Sequence, residues 1–163
     1  MKKWSPDVAL LLLRVAAGLI FLPHGWGKVF GNGGPAAFAS SVAENYAIPA
    51  FLGYLAAYAE VFGALFLIAG LFTRIDAFLL ACTTFVATFI IQLRDALYGV
   101  EAGASKFFAA MQAIELPLAL FAMTFALVLT GGGRLSLDAL LAKAWEKRST
   151  QKKAAAEAAA VRV

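Results

Sequence analysis

Four stretches of this chain, at roughly 7–29, 51–72, 75–93 and 106–130, stay apolar for about 20 residues, the length an α-helix needs to cross the hydrocarbon core of a bilayer. Lipid offers no hydrogen bonds, so such a run satisfies its backbone only by coiling on itself. Four transmembrane helices are therefore expected. The composition agrees: 62% of the 163 residues are hydrophobic and 15% are charged, an apolar share above that of soluble domains. Spans and short connections make residues 1–141 one membrane domain, and 142–163 form a basic, Ala-rich tail.

Loop charges set the expected orientation. Lys2, Lys3, Arg74, Arg134, Lys143, Lys147, Arg148, Lys152, Lys153 and Arg162 fall on one side of the spans, and Lys28, Arg94 and Lys106 on the other. The positive-inside rule then places both termini in the cytoplasm. Little more than Thr73-Arg74 separates the second and third spans, so these form an antiparallel hairpin. An all-α, up-down-up-down four-helix bundle is expected. The first span opens with Ser5-Pro6-Asp7, an N-cap, a proline at the first helical position and an acid in the first turn. Arg14 interrupts its apolar core and no small-x-small cleavage site follows, so it reads as a span rather than a signal peptide.

After Gly31-Asn32-Gly33-Gly34-Pro35, the segment AAFASSVAENYAIP offers a short helix. It is either a cap over the outer mouth of the bundle or an ordinary loop helix. Beyond the fourth span Ser136 can cap a short helix that carries Leu137, Leu140, Leu141, Ala144 and Trp145 on one face, the pattern of a helix lying in the membrane interface. The final KKAAAEAAAVRV is low-complexity and expected to fray, held loosely by anionic lipid.

Several chemistries are closed to a chain of this composition. One cysteine, Cys82, excludes an internal disulfide, a CxxC redox pair and a thiolate metal cluster built by this chain alone. One histidine, His24, excludes a poly-His metal or haem site. No protein-ligated metal is expected. The net charge of +4 comes mostly from the termini, without a basic stripe interleaved with aromatics, so the partner it implies is the bilayer and not nucleic acid.

Three ionisable side chains stand deep inside the spans, away from their ends: Arg14, Glu60 and Glu115. A charge near the bilayer centre costs at least about 2.5–3.5 kcal/mol, so such residues pair with one another or serve a function. Counted from His24, Phe51 and Phe107, the three lie about ten, nine and eight residues deep, or roughly 12–15 Å at the rise of an α-helix. That agreement predicts that they meet. Arg14 shares a stripe with Gly18, Phe21, Gly25 and Lys28; Glu60 sits with Ala56, Ala57, Gly63 and Ala64; Glu115 sits with Gln112, Ala119 and Ala122. Small residues let helices approach closely in lipid, so each charged face is expected to point inward. The third span adds Ala77, Ala81, Thr84, Thr88 and Gln92.

Glu60, Glu115 and Arg14 are thus the candidate catalytic group, and Lys28, His24, Gln92 and Thr88 the candidate substrate-binding residues. Two carboxylates against one guanidinium leave one acid to hold a proton or meet a ligand. Lys28 stands nearly four turns above Arg14, so it is expected at the mouth, facing substrate, rather than in the pair. His24 at the boundary is either an interfacial residue or a proton carrier. A plain ion pair that fixes helix register, or snorkelling of Arg14, would be the structural alternatives.

The patterns LLLRVAAGLIFLPHGWGK, AEVFGALFLIAGLFTR and GGGRLSLD, in that order and topology, resemble the DoxX family of small bacterial and archaeal membrane proteins. Arg14, Gly18, Gly25 and Lys28 fit the first motif, Glu60, Gly63, Gly70 and Arg74 the second, and Gly131, Gly133, Arg134, Ser136 and Asp138 the third. The resemblance covers about residues 8–141. It implies a cytoplasmic-membrane subunit of a redox system, because members are similar to a subunit of a thiosulfate:quinone oxidoreductase. Others are associated with a complex of superoxide dismutase and a sulfurtransferase. A quinone supplied by the membrane or a small sulfur anion is the ligand this implies, and soluble redox or sulfur-transfer proteins are the partners. A non-catalytic anchor that recruits soluble proteins is the rival, followed by a small proton-coupled carrier, which the lack of a visible inverted repeat weakens.

Overall fold

A computed structural model describes residues 5–98 and 105–160; Lys2, Lys3 and Arg162, which enter the charge bias, lie outside them. Helix α1 (Ser5–Phe30) is followed by α2 (Gly34–Tyr46) and α3 (Ala50–Ala69). Next come α4 (Thr73–Phe85), a π-helical turn (Val86–Gln92) and α5 (Leu93–Tyr98), which run on as one rod; α6 (Ser105–Thr130) and α7 (Leu137–Ala160) complete the chain. Four rods are long and apolar enough to span a membrane: Pro6–Phe30, Ala50–Ala69, Thr73–Tyr98 and Phe107–Thr130. The third exceeds the expected 75–93 at its far end, since Leu93–Tyr98 remains helical through Arg94 and Asp95.

Packing closes the four rods into a ring, α1 on α3, α3 on α4, α4 on α6 and α6 back on α1. The seam is filled by Ala17, Phe21, Ala64, Leu67, Ala77, Leu80, Leu120 and Leu127. Bulky side chains such as Leu12, Leu19, Phe62, Leu65 and Phe78 stay on the outside. That distribution suits lipid, where small residues at helix contacts, and not apolar burial, drive association. At Gly25 a Cβ would lie 2.7 Å from the backbone nitrogen of Val61, and at Gly18 it would lie 2.9 Å from the carbonyl of Ala64. Any larger residue would push α1 off α3.

The short helix expected after the first span is α2, and it lies against α3, where Gly53 admits Ala39. Two contacts tie its end to α5: Tyr46 donates to Asp95 Oδ2 at 2.5 Å, and Arg94 Nη1 donates to the carbonyl of Asn45 at 3.0 Å. The hydrogen bond to Asp95, with burial second, holds the Tyr46 phenol above its usual pKa. Below, the end of the bundle that carries the start of α1 is called the tail end, and the end beneath α2 the cap end.

The tail departs from expectation. Residues 137–160 form one helix of 24 residues, not a short helix and a frayed end. Alanine, lysine, glutamate and glutamine are strong helix formers, and low complexity does not weaken them. Its Leu140, Leu141 and Trp145 are exposed, as expected of a helix whose apolar face is left for a membrane interface.

Candidate functional site

The buried polar groups form two clusters at different depths. Register explains why Arg14 and Glu60 do not meet: α1 crosses α3 with Gly25 beside Glu60, whereas a Cβ at Gly70 would overlap Arg14 Nη1. Arg14 and Gly25 are about 16 Å apart along the helix axis. The depth count fails because it starts at His24, inside the expected span, whereas α1 runs to Phe30, which puts Arg14 about 9 Å farther from the cap end.

At the tail end Arg14 is fully buried and donates from Nη2 to the carbonyl of Leu135 at 2.8 Å. Its Nε and Nη1 have no hydrogen-bond partner among the described residues. The loop that receives it is the GGGRLSLD segment, which ties the helix ends together. Asp138 accepts from the backbone nitrogens of Phe72 at 2.8 Å and Thr73 at 2.9 Å and from the Thr73 hydroxyl at 2.9 Å, while its own nitrogen donates to Gly70 at 2.9 Å. Asp7 accepts from the nitrogen of Arg134 at 2.8 Å. Phe72 has φ 48°, a left-handed conformation that costs a non-glycine residue about 1–3 kcal/mol. The Asp138 carboxylate offsets that cost by capping α4 from across the bundle. Asp76, which the sequence pattern did not single out, is also buried here, and its Oδ2 has no partner among the described residues. The available signal was its apolar surroundings one turn into the third span.

Nearer the cap end, Lys28 and Glu60 form an ion pair between Nζ and Oε1. Lys28 therefore is not left at the mouth. Its flexible stem reaches down the helix to the level of Gly25, and it also lies over the Phe38 ring at 4.8 Å. The Glu60 carboxylate is buried, and its second oxygen, Oε2, has no partner among the described residues. Nor has Gln92 Oε1.

These groups separate two cavities. The larger, about 340 Å³, is apolar, with α2 contributing Phe38 and Val42, α3 Leu52 and Ala56, and the π turn Val86 and Ile91. Exposed Leu55 and Cys82 stand on its rim, so it opens sideways between α3 and α4, where lipid would be. The smaller, about 100 Å³, lies beside Phe21, Thr84 and Pro117, with exposed His24 and Leu116 on its rim. Lys28, Glu60, Ala87 and Gln92 border both.

Of the candidate residues, Lys28, Glu60, Gln92 and His24 are thus gathered, and Arg14 is not. Thr88 is buried but borders neither cavity, its hydroxyl donating to the carbonyl of Thr84 at 2.6 Å. Glu115 is exposed on the outer surface of α6 with Gln112, Ala119 and Ala122. The inward face of that helix is instead Ala110, Ile114, Leu120, Thr124 and Leu127. The small-residue rule misleads here because α6 packs on α4 through larger side chains.

The DoxX family model matches residues 9–93, which hold α1 through the π turn and so all four gathered residues. The chain is 31% identical over 139 residues to a Bacillus subtilis (strain 168) protein named "Putative oxidoreductase CatD", covering 85% of this chain and 91% of that one. It is 30% identical over 145 residues to the inner membrane protein YqjF of Escherichia coli (strain K12), covering 89% of this chain and all of that one. No solved structure matches it. Motif order, four spans and both relatives agree: this chain is a multi-pass bacterial inner-membrane protein and belongs to the DoxX family.

Proposed function

We propose that the chain is the membrane subunit of a quinone-linked oxidoreductase, and that the larger cavity receives the ring of a membrane quinol. One observation carries this reading. A half-buried ion pair, whose second carboxylate oxygen has no partner among the described residues, stands at the inner end of an apolar cavity that opens toward lipid. Apolar pockets with a few convergent polar groups are where small molecules bind. A quinol hydroxyl donates to Glu60 Oε2, Lys28 holds Oε1 in place, and Gln92 orients the ring. Oxidation of a quinol releases two protons and two electrons. Glu60 is positioned to take one of the protons, and the other leaves with the electrons to the acceptor. The electrons pass to a redox partner protein, since this chain offers only one cysteine and one histidine. A relative named as an oxidoreductase supports the redox class.

The charge bias supports a cytoplasmic tail end, which would present α7, with exposed Lys143, Lys147, Arg148, Lys152 and Lys153, to a soluble redox or sulfur-transfer protein. This helix favours a second reading, an assembly anchor, in which the buried charges only fix helix positions.

Photolabelling with an azido-quinone in native membranes separates the two. Labelling of α3 and the π turn, weakened about tenfold in Glu60→Gln by loss of a charged acceptor, is expected for the quinol site. Undiminished labelling in Glu60→Gln overturns it. Loss of co-purifying partners on removal of residues 143–163, with no labelling, leaves the anchor.

A further inference from the structure

We propose that the outer face of α6 is the interface of a homodimer, in which Gln112 of each copy donates to Glu115 of the other. Glu115 lies eight residues inside the fourth span, which begins at Phe107, or about 12 Å deep. There it is exposed, with no hydrogen bond or ion pair among the described residues. Ionisable side chains at such depth face protein or water, not lipid. A surface that leaves one toward lipid is therefore incomplete.

The pattern around it says what completes it. Gln112, Glu115, Ala119, Ala122, Ala126 and Leu129 recur at spacings of three, four, three, four and three. That is the heptad seam of two helices packed at a shallow angle. A second seam, on the opposite side of the same helix, holds Ala110, Ile114, Leu120, Thr124 and Leu127, and the bundle already uses it. Elsewhere the outward surface is bulky, with Leu55, Phe62 and Leu65 on α3 and Ile75, Phe78 and Phe85 on α4. The occupied seam shows that larger side chains can pack here too, so what singles out the outer seam is Glu115 at this depth together with small residues that allow a second helix to approach closely.

Complementarity selects a second copy of this chain as the occupant. Copies inserted in the same direction are related by an axis along the membrane normal, which sets two α6 helices parallel with like residues at like depth. Gln112 and Glu115 are one turn apart, a donor and an acceptor. A twofold arrangement therefore satisfies both acids with both amides, whereas any other partner must bring its own donor to this depth. The inference stands apart from the quinol site, whose residues lie on α1, α3 and the π turn.

The test is subunit counting in bilayers at low protein density, by stepwise photobleaching of the full chain in liposomes. Dimers are expected, with Gln112→Leu and Glu115→Leu each weakening association about tenfold. Both changes make the surface more compatible with lipid, so the monomer is expected to fold. In an otherwise unchanged Cys82→Ala background, Ala122→Cys is expected to cross-link copies within the membrane and Leu65→Cys is not. Monomers at every density, equal cross-linking at both positions, or cross-linking of Ala122→Cys to a different protein overturns the proposal.

Discussion

The two buried clusters have similar ingredients and opposite surroundings. At the tail end, Asp138 takes two backbone nitrogens and the Thr73 hydroxyl and Arg14 holds one carbonyl, while Arg14 Nε and Nη1 and Asp76 Oδ2 have no partner among the described residues. Nothing there borders either cavity. Toward the cap end, Lys28 and Glu60 satisfy each other on one side only and leave Oε2 and Gln92 Oε1 beside open space. A charge whose contacts are all with the chain fixes helix ends. One with a spare oxygen facing a cavity is available for chemistry. The contrast also explains why two clusters exist, since a clamp must be rigid and a site must admit something.

Mutations can break that contrast. The largest effect is expected at the clamp: Arg14→Ala leaves a cavity under the 131–136 loop and should cost about 3–5 kcal/mol, read as a large fall in unfolding temperature in detergent. Asp138→Ala removes three hydrogen bonds to a carboxylate and frees the strained Phe72, for about 2–4 kcal/mol by the same measurement. Glu60→Gln should change stability by about 1 kcal/mol or less while lowering quinone-analogue binding about tenfold, the reverse of Arg14→Ala. If both variants lose stability equally and neither alters binding, both clusters are clamps. The smallest effect is expected at Tyr46→Phe, which deletes one exposed hydrogen bond of the α2 latch. It should cost about 1 kcal/mol or less and show as faster hydrogen exchange in α2.

Much of this was legible in the sequence, for reasons that can be named. Apolar length located the four spans within a few residues, because lipid leaves the backbone no alternative to a helix. Stripes of small residues gave the inward faces of α1, α3 and α4 correctly, with Gly25, Ala57, Gly63 and Ala81 all buried. Depth was not legible. It depends on which residue of each helix stands at the membrane boundary and how neighbouring helices are offset, and six residues between His24 and the true end of α1 were enough to separate Arg14 from Glu60. The facing of Glu115 failed for a different reason. On α6 small residues lie on the outer surface, and one chain does not reveal which of two packable faces its own bundle uses. Lys28 was misplaced because a lysine head can sit about four residues from its own Cα.

The π turn has a consequence for how this span can change. A π turn amounts to one residue more than an α-helix of equal length would hold. Removing a single residue between Val86 and Gln92 would leave a helix still long enough to cross the bilayer. The turn would close as regular α-helix, so the residues beyond it would keep their faces, while those of the turn itself, Val86 to Gln92, would reseat along the cavity wall. A one-residue length polymorphism at this point would therefore be silent for insertion into the membrane and for the bundle, and felt at the ligand alone.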